Sequence, residues 1–345
     1  MSAVSPQEAR VAVVTVAPGT FEIRPEAQPA PGNGEVVVQT LATGVCGSDV
    51  HLFQGDHPYA QYPRAQGHEV VGHVASVGAG VDASLEGALV VVEPTLECGA
   101  CAECARGAYN RCEQLEVVGV QRDGSLAGRF VTRASKVHPV PEGGDPASWA
   151  LAEPVAVGCH AVDQSGLGRG DLAVVLGAGV IGLSIALALR RRSPGQVIVI
   201  EPSEERRRRV EELGLGAAAA PDDAARVIAA ANASGADVVF EATGVPEVLG
   251  AAHELVRPGG RIVVVGQSGG DFSLPMIAMT RKELELVGTR NSANNFPEAI
   301  DLLAGAPEFI ASVVTHRFHP RSAAEALAEL TRPGTSALKV LLEVA

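Results

Sequence analysis

Lysine is nearly missing from this chain: Lys136, Lys282 and Lys339 are the only three among 27 basic residues, and the rest are arginine. A skew of that kind follows genomic base composition, and no function is read from it. Positive charge is short altogether. Set against 40 acidic residues, it leaves a formal net charge of −13. A body this acidic repels nucleic acid and anionic lipid, so neither is an expected partner. Charged residues make up only 19% of the chain and hydrophobic ones 46%, which supplies sizeable cores and excludes intrinsic disorder. Segment 1–10 lacks the charged-then-apolar layout of a secretory signal. The one long apolar run, 172–189, has the length of a membrane span, but Gly177, Gly179 and Gly182 break it into a strand and a helix. The expectation is a soluble, cytoplasmic protein with no membrane partner.

At 345 residues the chain is long enough for two domains, and its rhythm changes once. Valine-rich runs at 11–16, 35–40, 69–77 and 88–93 read as short strands, with Pro31-Gly-Asn-Gly34 as a turn. From Gly170 onward, compact apolar strands at 172–176, 197–200, 237–240, 261–265 and 285–287 alternate with helical stretches such as 180–192 and 203–213. That alternation predicts an α/β fold, a doubly wound parallel sheet with helices on both faces. After about Arg290 the pattern is mixed, with 315–318 extended and 322–330 helical. Pattern alone does not assign that closing segment to a domain. There is no internal repeat and no low-complexity linker.

Four of the six cysteines, Cys98, Cys101, Cys104 and Cys112, form a C-x2-C-x2-C-x7-C run. Cytosolic thiols stay reduced, so two disulfides are not expected here. Tetrahedral zinc takes four thiolates at about 2.3 Å, and closely spaced loop cysteines supply them, so a structural zinc is expected. A redox cluster is the weaker alternative, because a closed four-thiolate site leaves no open position for chemistry. Cys46 stands apart in Gly44-Val-Cys-Gly-Ser-Asp49, with His51 five residues on, and Gly67-His68-Glu69 follows. Alone, a free cysteine is more often a small buried hydrophobe, and a His-Glu pair says little. Together they are the thiolate, imidazole and carboxylate of a catalytic zinc with an open position. Glu153 offers a further carboxylate, or else caps a helix or faces solvent; spacing does not decide.

Gly177-Ala-Gly179-Val180-Ile181-Gly182 is a G-x-G-x-x-G that follows an expected strand and opens an expected helix, the context the motif requires. Its glycines permit a tight turn and bring the helix N-terminus close to a pyrophosphate. The strand at 197–200 ends at Glu201, nineteen residues after Gly182. A carboxylate there accepts hydrogen bonds from a ribose 2′-hydroxyl and repels a 2′-phosphate, which favours NAD. Arg206 to Arg209 follow at once. They form a solvated helix face paired with Glu204, Glu205, Glu211 and Glu212, or Arg206 meets a phosphate.

This constellation resembles the zinc-containing medium-chain dehydrogenases, the alcohol and polyol dehydrogenase family, along nearly the whole chain. The family's zinc signature stands here as Gly67-His68-Glu69-x2-Gly72-x5-Gly78. The resemblance implies a GroES-like, β-rich catalytic domain from 1–154 and 290–345, with a structural-zinc lobe near 94–113. A Rossmann NAD-binding domain would occupy 155–289. It implies that Cys46, His68 and Glu69 hold the catalytic zinc. Glu153, in Glu153-Pro-Val-Ala-Val-Gly-Cys-His160, is similar to the polyol and threonine dehydrogenase branch and would touch zinc directly or through water. Cys159 is then a core residue. Ser48 and His51 match the proton-relay positions. The implied cofactor contacts are Gly177, Gly179, Val180, Ile181, Gly182, Glu201, Arg206, Thr243 and Gly266. Arg129 and Gln66 depart from the family's usual residues without removing a ligand.

The implied reaction moves a hydride from a secondary alcohol of a polyol or sugar acid to NAD and gives a ketone. Zinc lowers the pKa of the substrate hydroxyl, the proton leaves through Ser48 and His51 to water, and the nicotinamide takes the hydride. Two zinc ions per chain, NAD, a small-molecule alcohol and a homodimer or homotetramer are expected. Arg290, Asn291 and Asn294 would offer hydrogen bonds to a chain of hydroxyls. Arg290 or Arg317 would meet the carboxylate of an aldonate such as galactonate or gulonate. Alternatively, these residues only cap the helix at 296–303. Threonine is the alternative substrate, since threonine dehydrogenases share the Glu153-Pro154 feature. A zinc-free reductase has no need of Cys46, His68 and Glu69 together. A non-catalytic zinc- and nucleotide-binding module is disfavoured by the complete ligand set and the Ser48/His51 pair.

Overall fold

Period-two valines build the first sheet. Val36 and Val38 of strand Glu35–Val45 enter one apolar cluster with Val70 and Val74 of Glu69–Val77 and with Val90 and Val92 of Leu89–Val92, because alternate residues of a strand share a face. The computed structural model describes residues 10–192 and 195–344. The segment 1–9, most of the stretch without a leader pattern, lies outside the described residues. By contacts the chain divides into two units, one running up to Glu153 and resuming at Leu303, the other Pro154–Leu302.

In the first unit the main sheet runs Val314–Phe318, Lys339–Glu343, Glu35–Val45, Glu69–Val77, Leu89–Val92, Val137–Pro139, and Arg129–Arg133 also pairs with Glu35–Val45. The first pair is parallel and the others are antiparallel. Glu35–Val45 continues past the valine run at 36–38, through a register shift between Thr40 and Ala42, and so delivers Cys46. Lys339–Glu343 is a strand that valine counting does not pick out, because a lysine heads it. A short pair, Thr95–Leu96 with Glu116–Val117, closes the base of the lobe that carries Cys98, Cys101, Cys104 and Cys112.

In the second unit the sheet order is Ala217–Ala219, Gln196–Ile200, Leu172–Leu176, Ala236–Glu241, Val256–Val264, Glu285–Gly288, all parallel. The chain starts at the third of these strands, winds to one edge, then crosses to the other side, so the order reverses beside Leu172–Leu176. That is the doubly wound arrangement, whose ligands bind beyond the carboxyl ends at the reversal. Helix Phe296–Ala304 belongs mostly to this unit, whereas the sequence reading returned the chain to the first unit at 290. The physical tie is local. Arg192 bridges Asp163 at 2.6 Å and Glu298 at 3.1 Å, and Asn295 Nδ2 donates to Asp163 Oδ2 at 2.8 Å.

Candidate active site

Strand Glu35–Val45 ends at Cys46, which N-caps helix Gly47–Gln54; the Cys46 amide donates to Asp49 Oδ2 at 3.0 Å. On the adjacent strand, Glu69 heads Glu69–Val77 and pairs with Gly44. A side chain at position 44 would place its Cβ 1.8 Å from Glu69 Oε2, so only glycine leaves room for that carboxylate. The result is that single ligand atoms of Cys46, His68 and Glu69 lie within 4.8 Å of one another, with His68 and Glu69 buried.

Two residues that the sequence reading missed organise this cluster. Lys339 Nζ lies 2.6 Å from each Glu69 oxygen and donates to Val45 O at 3.0 Å. Asp49 Oδ1 stands 3.8 Å from His68 Nδ1, and each of these buried atoms lacks a hydrogen-bond partner among the described residues. Burial opposes charge on His68, but Asp49, the Cys46 contact and Glu153 outweigh it and raise its pKa well above the ordinary value. Gln66, the departure noted in the sequence, is also buried in this support. It accepts from Thr15 Oγ1 at 2.7 Å and donates to Asp49 O at 2.9 Å.

Glu153, in the first turn of helix Ala152–Gln164, is buried and stands outside the tight trio. Burial pushes its pKa up to about 7, with His68 and Lys339 opposing and Glu69 and Asp49 assisting. Burial raises Asp49 as well. Buried carboxylates held against their own ionisation around a thiol and an imidazole lack positive charge, and a divalent cation supplies it. The donor set thus fits zinc. Ser48 and His51 lie on helix Gly47–Gln54 at i and i+3, neighbours on one face; Ser48 is half-buried and His51 exposed.

The four lobe cysteines also converge within 4.8 Å. Cys101 and Cys104 sulfurs are 3.5 Å apart, and those of Cys98 and Cys104 4.0 Å apart. Tetrahedral ligation at about 2.3 Å requires sulfurs about 3.8 Å apart, which these spacings bracket. Amides point at the sulfurs, from Cys98 to Cys112 at 3.2 Å and from Cys101 to Cys98 at 3.4 Å. The amides of Cys104 and Glu113 pull the Cys101 thiol down to about 6. Cys159 is buried, and burial pushes its thiol up to about 12, as befits a core residue.

In the second unit the glycine loop links Leu172–Leu176 to helix Val180–Arg192. A Cβ on Gly182 would meet Gly177 O at 2.0 Å, so this glycine is required by close packing; one on Gly179 would meet nothing within 4 Å. The protein itself leaves that space open, a cradle suited to a pyrophosphate at a helix N-terminus. Gly179, Val180 and Ile181 are half-buried while Gly177 and Gly182 are buried. Across the reversal point, the Thr243 methyl would lie 3.0 Å from a Cβ on Gly177, and Gly266 sits against Gly244 and Glu241. Glu201 is buried at the end of its strand, with Oε2 accepting from Ala178 N at 2.8 Å and Oε1 from Ser203 N at 2.9 Å. It therefore braces the loop. Of the arginines, Arg207 donates to Glu201 O and Pro202 O, and Arg208 and Arg209 pair with Glu212 and Glu205. The amide of Arg206, in the first helical turn, donates to Ser203 Oγ.

One substrate expectation is corrected. Arg317 bonds Asp145 and, at 2.6 Å, Glu343, so its guanidinium serves the protein's own carboxylates. Asn291 and Asn294 adopt positive φ, 48° and 65°, a turn conformation that asparagine tolerates better than most residues.

Comparison with known proteins agrees with this geometry. Residues 32–142 match the alcohol dehydrogenase GroES-like domain and residues 171–305 the zinc-binding dehydrogenase domain. The chain belongs to the zinc-binding alcohol dehydrogenase family, enzymes that oxidise CH–OH groups. It is 33% identical to L-galactonate-5-dehydrogenase of Escherichia coli K12 over 294 residues, 84% of this chain and 86% of that protein. It is 36% identical to 2-dehydro-3-deoxy-L-galactonate 5-dehydrogenase of Pseudoalteromonas atlantica over 292 residues, 82% of this chain and 85% of that one. Among solved structures, one described as a short chain alcohol dehydrogenase of Escherichia coli CFT073, complexed with NADH, superposes with a TM-score of 0.88 at 30% identity, covering 96% of this chain and 98% of the other. No helix among the described residues is long and apolar enough to cross a membrane.

Proposed function

We propose that this chain oxidises a secondary alcohol of a polyol or aldonate to the ketone with NAD, at a zinc held by Cys46 and His68 with Glu69 and Glu153 as the carboxylates beside them. The observation that carries the proposal is the convergence of Cys46, His68 and Glu69 within 4.8 Å in a chain whose relatives include dehydrogenases of galactonate and of a deoxy-galactonate derivative. The bound zinc supplies a Lewis acid that favours loss of the alcohol proton. Ser48 takes that proton as it hands its own to His51. The His51 side chain is 58% exposed and releases a proton to water. Asp49 sets a carboxylate 3.8 Å from His68, and Lys339 holds Glu69. The glycine loop, braced by Glu201, positions the cofactor, and the Glu201 carboxylate disfavours a 2′-phosphate.

A coupled screen of NAD reduction over sorbitol, galactonate, gulonate and threonine tests this reading. Turnover of at least one five- or six-carbon polyol or aldonate is expected. Efficient turnover of threonine with none of the others refutes it. The protein is further proposed to be cytoplasmic and to work as a homodimer or homotetramer. Strand Glu285–Gly288 supports that assembly: it ends its sheet with one edge unpaired among the described residues, and Leu286 on it is exposed, as are nearby Met276 and Ile277.

A further inference from the structure

At the end of helix Gly47–Gln54 the carbonyl of His51 accepts three amides, from Gly55 at 2.9 Å, Asp56 at 3.2 Å and His57 at 3.3 Å. Gly55 makes the reversal at φ 93°, and the turn folds Asp56 back over the helix. Its Oδ1 thereby lies 3.0 Å from His51 Nδ1. An ionised carboxylate only accepts, so the proton of this bond sits on Nδ1, and Nε2 keeps a free lone pair.

We propose that Asp56 is a positioning residue for the proton exit, fixing His51 in the Nδ1–H tautomer with Nε2 as the base. This rests on the relay role given to His51 above. The step balances: the Ser48 O–H bond breaks as the His51 Nε2–H bond forms, Ser48 gains the alcohol proton, and His51 returns to neutral by giving a proton to water. Asp56 stays ionised throughout.

The other titratable groups facing the pair are His57 and Tyr62. Burial, then the charges of His51 and His68, hold His57 below its ordinary value, with Asp49 and Asp56 opposing; its Nδ1 accepts the Tyr59 amide at 3.2 Å. Burial and Asp56 push the Tyr62 hydroxyl up, and it donates to Leu52 O at 2.6 Å. Neither places a second cation against Asp56.

Nitrogen-15 NMR of the His51 ring reads the tautomer without turnover, and the wild-type ring is expected to carry its proton on Nδ1. The side chains are 58% and 60% exposed, so solvent competes for the pair. Asp56→Asn is expected to raise the population of the Nε2–H tautomer, because a neutral amide oxygen is a weaker acceptor than a carboxylate. In turnover, kcat falls severalfold with KM held, and Asp56→Glu restores part of it. In a His51→Gln background, Asp56→Asn changes nothing further. An unchanged tautomer balance, or equal effects of Asp56→Asn with and without His51, overturns the proposal. Failure of the wider functional reading looks different: the wild-type protein reduces no NAD with any polyol or aldonate, while the change of tautomer still appears.

Discussion

Replacing Lys339 by methionine leaves Glu69 buried and without its cation. The ammonium sits 2.6 Å from both Glu69 oxygens, and the two residues are 3% and 1% exposed. Burial alone would lower the Lys339 pKa, but Glu69 foremost, with Cys46 and Glu153, holds it raised. Pairing therefore wins over desolvation. Removing one partner of a buried pair costs about 3–5 kcal/mol, a large part of a total stability of roughly 5–15 kcal/mol. At about 2–4 °C per kcal/mol for a unit of this size, the unfolding midpoint should drop by about 10 °C. Glu69→Gln alone strands the lysine in the same way. The double variant strands neither charge and should be more stable than the sum of the single effects by at least about 2 kcal/mol. Urea unfolding followed by circular dichroism, on metal-free and zinc-loaded protein, measures all four corners. A loss under about 1 kcal/mol for Lys339→Met, or strict additivity, refutes the reasoning.

Cys101→Ala should lower zinc content by one ion per chain and reduce thermal stability, because structural zinc contributes folding free energy; metal analysis with thermal unfolding checks both. Glu93 is buried, which raises its pKa, but the His138 ring beside it and hydrogen bonds from Lys136 and Thr95 outweigh burial and lower it. A depressed folded pKa stabilises fully above the ordinary value of 4.5 and is lost as pH falls through the folded value. Glu93→Gln should therefore flatten the decline of stability below about pH 4.5, and urea midpoints against pH that keep the wild-type slope would contradict this. Glu201→Ala should cut the ratio of NAD to NADP catalytic efficiency by at least about tenfold, measured by steady-state kinetics; an unchanged ratio would show that the arginines beyond it set cofactor choice.

The parallel sheet was legible in the sequence because its strands are buried on both faces and read as short apolar runs between glycines. Both cysteine-bearing sites were legible for a different reason, since metal ligands must be of a few residue types at close spacing. Lys339 and Asp49 were not. One lies 270 residues from its partner Glu69, on a strand without a valine pattern, and the other looks like any helix-capping acid. The scarcity of lysine was noted, yet its meaning is spatial. Lys136 sits between Glu93 and Glu97 at 2.9 Å each, beneath the Tyr109 ring. Lys282 donates to His253 O and Val256 O at 2.7 Å, and Lys339 holds Glu69. In a chain that otherwise uses arginine, each lysine stands where a compact ammonium takes acceptors from several directions, which a planar guanidinium does not match. Substrate contacts were the least legible part. Arg317 reads as a carboxylate binder, and the carboxylates it binds turn out to be Asp145 and Glu343.

The central claim is that Cys46 and His68 hold a zinc on which polyol or aldonate oxidation depends. The most direct measurement pairs zinc content with NAD reduction in wild-type and Cys46→Ala protein of matched circular dichroism. Two zinc ions per chain are expected in the wild type, and one zinc with no NAD reduction in the variant. Full NAD reduction by Cys46→Ala protein carrying a single zinc would contradict the account.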